Sequence, residues 1–282
     1  NPRLTLPNCK SIIVVGLSYN VDFKIDKYKK NKGVLSKSSW GIDYHKVVGS
    51  KIKELIRKLS REIKFEYRHY VDTGPLIDRE LAKKAGIGYY GKNCSIINKK
   101  YGSFIFLGYI LTDLDIDYNS NVLETECGDC DLCIKACPTG ALEAPYRLNP
   151  KKCISYLTQT RNIIPEDLRT KIGNKIYGCD TCQIVCPKNK GIELSNHSEF
   201  IPKITEGLID LKELFSISNR EFKIKYGHIS GSWRGRNILR RNAILILGNM
   251  KNKENIEFLL KIKKESSSYD KYVNWAIANI LE

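Results

Sequence analysis

The sequence predicts three regions: an α/β domain over residues 1–120, a compact cysteine-rich domain over residues 121–195, and a helical region over residues 196–282. Three observations lead to this division. Strand-like and helix-like apolar patterns alternate before residue 120, and eight of the ten cysteines fall between Cys127 and Cys186. Helical periodicity dominates the C-terminal end. At 282 residues the chain is long enough to bury a substantial core.

The first region is predicted from five consecutive patterns. In the first segment, branched apolar residues follow one another without polar interruption, which predicts a buried strand. The second segment has apolar residues at helical spacing, which predicts an amphipathic helix. A second strand, a helix closed by glycine, and a hairpin turning near 99–102 follow. The five segments are "KSIIVVGLSY", "DYHKVVGSKIKELIRKLSRE", "KFEYRHYVD", "LIDRELAKKAGIG" and "CSIINKKYGSFIFLGYILTD".

Positive charge is concentrated at the two ends of the chain. The net charge is +16, with 16 Lys/Arg against 6 Asp/Glu in residues 1–70 and 13 against 6 in residues 220–282. Between them, Asp113–Asp131 holds seven acids and no base. This pattern favours a polyanionic partner such as nucleic acid, although a generally lysine-rich composition would also raise the charge. No apolar run reaches the roughly 18–20 residues of a membrane helix, so no membrane segment is expected.

The second region begins with a closely spaced run of four cysteines. Cys127, Cys130, Cys133 and Cys137 follow the pattern C-x2-C-x2-C-x3-C-P of bacterial ferredoxins. In that pattern the first three thiolates bind one 4Fe–4S cluster and the fourth binds the other cluster of a pair. A zinc site would instead show two separated cysteine pairs. In the absence of a secretory signal, clustered cysteines indicate metal rather than disulfides.

A second run supplies the remaining thiolates. "YGCDTCQIVCPKN" is one cysteine short of the first run, and Cys153 in "NPKKCISYL" is the expected donor of the missing ligand. Eight thiolate ligands are sufficient for two 4Fe–4S clusters. We expect one cluster on Cys127, Cys130, Cys133 and Cys186, and the other on Cys137, Cys153, Cys179 and Cys182. Cys9 and Cys94 are left over and are expected to be small buried residues.

The third region contains two similar apolar helices, "RRNAILILGNM" and "YDKYVNWAIANILE", separated by a charged helix. This spacing is compatible with HEAT-like helix pairs or with a plain helical cap. Arginines cluster at its entry. They are either phosphate contacts, for which Arg offers bidentate geometry, or a solvated surface.

Two segments of the first region carry side chains suited to chemistry. Asp72 follows a predicted strand, where an apolar environment would raise the pKa of its carboxyl group and make it a proton donor. Alternatively, Asp72 caps the following helix. "SSWGIDYH" (38–45) is either a wall for a large cofactor or the start of a helix. "GIGYYGKN" (86–93) lacks the dinucleotide fingerprint, and the D-x-H-x-x-G motif of histidine-ligated cobalamin proteins is absent.

The order of the motifs resembles the epoxyqueuosine reductase family. The likeness rests on "VDTGPLIDRELAKKAGIGYYGKN", "GSFIFLGYILTD", "CGDCDLCIKACPTGAL", "CISYLT", "YGCDTCQIVCP" and "RRNAILILGN", which together span nearly the whole chain. The resemblance implies a cobalamin-binding α/β domain, a ferredoxin-like two-cluster domain and HEAT-like helices. It also implies the last step of queuosine synthesis, in which the epoxide on the modified base at tRNA position 34 is reduced to the alkene.

The resemblance implies roles for individual residues. Electrons would pass through the clusters to cobalamin held base-off, and Asp72 would protonate the oxygen that leaves as water. RNA contacts are expected from Arg161, Arg234, Arg236, Arg240 and Arg241. The residues expected around the cofactor are Trp40, Asp43, Tyr44, His45, Asp72, Ser95, Ile96, Leu107, Gly108, Ser155 and Asp180.

The family also implies a cytoplasmic enzyme that acts on the anticodon loop of tRNA, expected to be a monomer, with an electron donor that the sequence does not identify. Two other functions are alternatives, of which the first shares both kinds of cofactor and the second only the clusters. One is a cobalamin and iron–sulfur reductive dehalogenase, which the +16 charge disfavours because a small halocarbon needs no phosphate contacts. The other is an electron-transfer ferredoxin module, which would not need the "VDTGP" domain.

Overall fold

The structure is a computed structural model, described for residues 1–26, 29–117 and 122–282. In its N-terminal part the two predicted strands and two predicted helices form, and the segment predicted as a hairpin forms two strands. Two further short strands, which the sequence analysis did not predict, lie between the first strand and the first helix and after the second helix. The elements are β1 (Ser11–Ser18), β2 (Lys32–Leu35), α1 (Tyr44–Glu62), β3 (Tyr67–Tyr70), α2 (Asp78–Lys84), β4 (Tyr89–Tyr90), β5 (Ile96–Ile97) and β6 (Ile105–Thr112).

Strand β6 is the centre of an antiparallel sheet with the order β1–β6–β3. The predicted hairpin is therefore wrong in its pairing. Its turn forms and is closed by a bridge between Asn98 and Gly102, but β5 pairs with β4 while β6 pairs with β1 and β3. The predicted burial of β1 is also too high, because this strand lies at the sheet edge and most of its residues are half-buried.

Helix α1 packs across β6 and begins at the functional end of the domain. Asp43 caps it, since its Oδ1 accepts the His45 main-chain N–H at 3.0 Å. The apolar face at Val48, Ile52 and Ile56 is buried against the sheet. Gly108 of β6 permits the close approach, because a β-carbon there would lie 2.9 Å from Ile52 Cδ1.

The cysteine-rich region consists of short elements. Helices α3 and α6 pack against each other, and a Cys-Pro pair follows each of them, where the proline prevents further helix. The elements are α3 (Leu132–Lys135), β7 (Leu142–Ala144), β8 (Arg147–Leu148), α4 (Ile154–Leu157), α5 (Glu166–Arg169), β9 (Lys175–Tyr177) and α6 (Thr181–Ile184).

The C-terminal region is helical after one short strand, as predicted. Helices α9 and α11 lie in close contact at Gly248, where a β-carbon would lie 2.8 Å from Ala276 Cβ. A HEAT-like arrangement stays a prediction. The elements are β10 (Leu208–Asp210), α7 (Glu213–Ser216), α8 (Asn219–Tyr226), α9 (Arg236–Asn249), α10 (Asn255–Glu265) and α11 (Asp270–Leu281).

A second sheet joins all three regions in the order β10–β2–β9. Strand β2 is parallel to β9 and antiparallel to β10. The largest hydrophobic core also contains residues from Tyr19 to Ile280. The predicted division at 120 and 195 therefore falls within a continuous core, and those boundaries stay a prediction.

In the described part of the chain, the structure contains no helix that is both long and apolar enough to cross a membrane.

Candidate active site and cluster sites

The structure brings together the four cysteines expected to hold the first cluster. Cys127, Cys130, Cys133 and Cys186 line one cavity of about 160 Å³, which lies between the two halves of the cysteine-rich region. Helices α3 and α6 supply this convergence, because Cys133 lies in α3 and Cys186 follows α6. Soft thiolate donors around a small enclosed space are the ligand set of a 4Fe–4S cluster.

The other four cysteines form a neighbouring group. Burial raises the pKa of Cys153, and negative charge at Cys179 and Cys137 raises it further. Burial also raises the pKa of Cys182. Negative charge at Cys179, Cys153 and Cys133 raises it further. Because Cys182 is close enough to interact electrostatically with both groups, the two sets adjoin. Among the described residues no three His, Cys, Asp or Glu side chains are close enough to bind one metal ion. This agrees with a 4Fe–4S cluster, because the cluster holds its thiolates farther apart than a single ion does.

Asp72 lies in a constrained turn after β3. Its φ is +60°, a left-handed conformation that Asp adopts more readily than most residues, and its main-chain N–H donates to Asp78 Oδ2 at 3.0 Å. The Leu76 N–H donates to the Tyr109 hydroxyl at 3.2 Å, which ties the turn to the buried sheet. Gly74 is required here, because a β-carbon would lie 2.1 Å from that hydroxyl oxygen.

Two side chains from the start of α1 lie beside the Asp72 carboxylate, and a third supports one of them. Tyr44 donates its hydroxyl to Asp72 Oδ2 at 2.7 Å, and His45 Nε2 lies 3.7 Å from the same oxygen. The other ring nitrogen of His45 lies 2.8 Å from Asp43 Oδ1. The sequence places these residues consecutively, and the helix N-terminus directs them toward the end of β3.

The electrostatics of this group differ from the prediction for Asp72. Interactions with His45 and Tyr44 lower the pKa of Asp72, although burial opposes the shift. The predicted rise in this pKa is therefore wrong for the ligand-free site, because two donors stabilise the carboxylate and its side chain is 64% exposed. Pairing with Asp43 and Asp72 raises the pKa of His45 to about 9. The proton of the site is thus held on His45 at neutral pH.

Asp72 faces a cavity of about 550 Å³ between the sheet and the cysteine-rich region. Ser155, two residues beyond Cys153, lines the cavity and brings its wall close to the second group of thiols. A larger cavity of about 1020 Å³ adjoins it, since Arg79 lines both. The Arg79 guanidinium donates to the Cys94 carbonyl at 2.6 Å and so fixes the wall between them.

The residues predicted to surround a cofactor fall into two sets. Tyr44, Asp72, Leu107 and Ser155 line the cavity, whereas Asp43 and His45 support Asp72 from beside it. Asp180 accepts the Lys37 N–H at 2.7 Å at the start of α6.

The remaining four predicted cofactor residues do not line the Asp72 cavity. Trp40 is 3% exposed and donates its indole N–H to the Leu35 carbonyl, so it belongs to the core. Gly108 is packed against α1, and Ile96 is buried in β5. Ser95 lies in the turn before β5, next to Cys94 of the larger cavity. The composition of the segment 38–45 suggested a cofactor wall. It does not indicate that Trp40 lies in the core while Tyr44 and His45 lie at the site.

Three of the five arginines predicted to contact RNA are bonded to main-chain carbonyls. Arg241 is 4% exposed and donates to the carbonyls of Thr160 and Leu157 at 2.5 and 2.8 Å. Arg240 donates to the Leu214 and Phe215 carbonyls, and Arg236 donates to the Ile217 carbonyl. These bonds fix the surrounding loops to α9. The burial of Arg241 contradicts its predicted RNA contact, whereas Arg236 and Arg240 are partly exposed and their RNA contacts stay a prediction. Arg161 remains exposed, and Arg234 lies partly exposed over Trp233.

Several cavity residues were missed from the sequence, among them two that are bonded to each other. Tyr177 and Gln159 both line the cavity, and the Tyr177 hydroxyl donates to Gln159 Oε1 at 3.1 Å. No motif marks either residue. Their only signal is proximity in sequence to Cys179 and to the "CISYLT" segment.

Comparison with known proteins agrees with this arrangement. Residues 126–189 match the 4Fe-4S double cluster binding domain, and residues 1–73 match the family described as epoxyqueuosine reductase QueG, DUF1730. The epoxyqueuosine reductase of Bacillus cereus (strain ATCC 14579) is 45% identical over 271 residues, which cover 94% of this chain and 70% of that protein. That of Escherichia coli (strain K12) is 37% identical over 290 residues, covering 100% of this chain and 76% of that protein.

Two solved structures show the same similarity. A crystal structure of epoxyqueuosine reductase with an epoxyqueuosine-modified tRNA-Tyr stem loop matches with a TM-score of 0.93 and 42% identity, covering 99% of this chain and 76% of that one. The Bacillus subtilis enzyme, with its aspartate catalytic loop swung out of the active site, matches with a TM-score of 0.91 and 41% identity over the same shares. Neither the dehalogenase nor the electron carrier is favoured by these matches. The chain belongs to the epoxyqueuosine reductase family.

Proposed function

We propose that the chain reduces epoxyqueuosine to queuosine at position 34 of tRNA, in the last step of queuosine biosynthesis. The observation that carries the proposal is the position of Asp72. Its carboxylate faces a cavity whose opposite wall, at Ser155, is two residues from a cluster thiol. An acid group and a source of electrons thus meet at one space. The stem-loop complex of a 42% identical relative supports tRNA as the substrate.

We assign the two clusters to the two adjoining thiol groups described above. Cys127, Cys130, Cys133 and Cys186 would hold one 4Fe–4S cluster, and Cys137, Cys153, Cys179 and Cys182 the other. The shared cavity of the first four and the mutual electrostatic effects of the second group support the assignment. Since Cys182 lies near both groups, electrons have a short path between the clusters. The second cluster is then the one beside the Asp72 cavity.

The two adjoining cavities fit a cobalamin. Their combined size suits a tetrapyrrole-sized group, and His45 beside Asp72 is directed at carboxylates on both sides. Among the described residues that line the two cavities none is a histidine, and binding in the base-off form is part of the proposal. When bound, cobalamin would supply the strongly reducing metal centre for the epoxide. Tyr44, Leu107 and Ser155 would hold it, with Arg79 between the two cavities.

The chain's own residues would manage the proton. The epoxide oxygen needs two protons, together with two electrons that the donor supplies through the clusters, to leave as water. Asp72 Oδ2 faces the cavity between two donors and would deliver these protons, one held by His45 and the other taken from solvent. The raised pKa of His45 keeps a proton 3.7 Å from that oxygen at neutral pH. Substrate binding would remove water from Asp72 and raise the pKa of its carboxyl group, which favours transfer of the proton from His45 through Asp72.

The surface around the cavity would bind the RNA. The base must leave the anticodon-loop stack to reach Asp72, and flanking phosphates would then lie near exposed Arg161 and Arg234. The net charge of +16 supports a polyanionic substrate. As part of this proposal the enzyme acts in the cytoplasm as a monomer, with a separate electron donor.

The test is anaerobic conversion. The protein is reconstituted with iron, sulfide and cobalamin, reduced, and incubated with tRNA that carries epoxyqueuosine, after which the nucleosides are weighed. We expect loss of one oxygen from the modified base. Asp72→Asn should lower the rate about 100-fold or more while iron and cobalamin contents are unchanged, as for loss of a general acid. An unchanged nucleoside with loaded cofactors would refute the proposed activity.

A further inference from the structure

Trp233 is an exposed aromatic residue at the edge of the Asp72 cavity. Its side chain is 58% exposed, which is high for so large an apolar group. It follows a short 3₁₀ turn (Ser230–Ser232), and Ser230 lines the cavity. An isolated exposed tryptophan needs no explanation, but this one lies directly beside the proposed catalytic space.

The turn that carries Trp233 is firmly anchored. The Gly231 N–H donates to Ser39 Oγ at 2.6 Å, and the Ser230 hydroxyl donates to the Ser38 carbonyl at 3.0 Å. Gly231 allows this contact, since a β-carbon there would lie 2.6 Å from the same Ser39 oxygen. The position of the indole is therefore set before any ligand binds, which lowers the entropic cost of binding.

The indole is also bonded to the wall of the cavity. Its N–H donates to Gln159 Oε1 at 3.1 Å, and the same oxygen accepts the Tyr177 hydroxyl. Trp233 is thus linked through Gln159 to Tyr177, which lines the cavity, and Arg234 lies over the same indole.

One face of the indole is occupied and the other is open. The Arg234 guanidinium carbon lies 3.7 Å from the ring centroid, a cation–π contact that covers one face. The high exposure of the side chain leaves the opposite face to solvent. Within the described residues, no acidic side chain forms an ion pair with Arg234, so its charge is available to an anion.

We infer that Trp233 stacks on an unpaired base of the anticodon loop, next to the base that enters the cavity, while Arg234 binds the adjoining phosphate. This rests on the proposed tRNA substrate and goes beyond it by naming the contact that holds the loop open. Aromatic side chains beside positive charge are the usual means by which proteins bind unstacked nucleotides. A rigid aromatic side chain beside the cavity would hold the loop where only the neighbouring nucleotide reaches Asp72.

The test compares the reconstituted, cobalamin-loaded protein with variants of similar bulk. Trp233→Phe keeps an aromatic ring, Trp233→Leu removes it, and Arg234→Met removes the charge. The matched control is Tyr67→Leu, because Tyr67 is an exposed aromatic residue on β3, outside the cavity. The probe is a fluorescein-labelled synthetic anticodon stem-loop, with and without epoxyqueuosine, measured by anisotropy at several salt concentrations. Cobalamin affinity is measured separately by absorbance.

We expect Trp233→Leu to weaken RNA binding about 5- to 150-fold, the range for loss of one base stack. Trp233→Phe should retain most of the affinity, and neither variant should change cobalamin affinity. Arg234→Met should reduce the slope of log affinity against log salt concentration by about 0.7, the contribution of one phosphate contact on a single strand. Trp233→Leu should leave this slope unchanged. Tyr67→Leu should match the unmodified protein.

Two results would overturn the inference while leaving the proposed function intact. One is RNA affinity of Trp233→Leu within twofold of the unmodified protein. The other is an equal loss of RNA and cobalamin affinity, which would make Trp233 a wall of the cofactor cavity. Failure of the unmodified protein to bind or convert the stem-loop would overturn both the inference and the proposed function.

Discussion

The buried Arg241 allows a direct test of the roles assigned to the arginines of α9. Arg241→Met keeps most of the side-chain volume but removes the donors to the Thr160 and Leu157 carbonyls. An unsatisfied buried carbonyl costs about 1–3 kcal/mol, so two of them cost about 2–6 kcal/mol. Removal of a buried charge offsets part of this cost, which places the expected loss of unfolding free energy at about 2–4 kcal/mol.

The assay is thermal unfolding of the cluster-loaded protein under anaerobic conditions. For a chain of 282 residues, a loss of about 2 kcal/mol lowers Tm by about 3–4 °C. Arg234→Met is the control, because Arg234 contacts the exposed Trp233 ring and should leave Tm within about 1 °C. An Arg241→Met protein with unchanged Tm but weakened tRNA binding would refute the structural role and restore Arg241 as an RNA contact.

Three further results are expected. Cys153→Ala removes one proposed ligand of the second cluster. Iron should therefore fall from about eight to about four atoms per chain by chemical analysis, with one cluster signal kept; loss of all iron would contradict two separate sites. Because the pKa of His45 is raised from 6.5 to about 9, its stabilising effect is full below pH 6.5 and lost as pH rises through 9. The unfolding curves of His45→Gln and the unmodified protein should therefore differ at pH 6 and converge above pH 9. Gly74→Ala places a β-carbon 2.1 Å from the Tyr109 hydroxyl, displaces the Asp72 turn, and should abolish conversion without loss of iron.

The elements of the first region could be predicted because their signals are local. The periodicity of α1 and the apolar runs of β1 and β6 depend only on neighbouring residues, and each element forms where expected. The pairing could not be predicted in the same way. Strand β6 has β1 and β3 as partners, both distant in sequence, and nothing in the turn at 99–102 indicates that β5 pairs elsewhere.

The site was predictable where spacing itself encodes chemistry. The spacing of the cysteine runs indicates which thiols belong together, and the structure brings Cys127, Cys130, Cys133 and Cys186 to one cavity. Asp72 likewise follows a recognisable strand end. Burial decided the rest. Trp40 and Arg241 have the residue types of a binding surface, yet both are inside the protein, because their environment is set by chain segments far away. Gln159 and Tyr177 belong to the cavity for the same reason and carried no signal.

The sheet β10–β2–β9 has a consequence for biosynthesis. Of the three strands in this sheet, β2 is synthesised first. It can pair only after residues 175–177 and 208–210 have been made. At about 5–20 residues per second, this strand waits about 10 seconds or more with both edges unpaired. A nascent chain in this state is a substrate for chaperones and is prone to aggregate. Expression of residues 1–120 alone would make the condition permanent, so this fragment should aggregate more than the full chain.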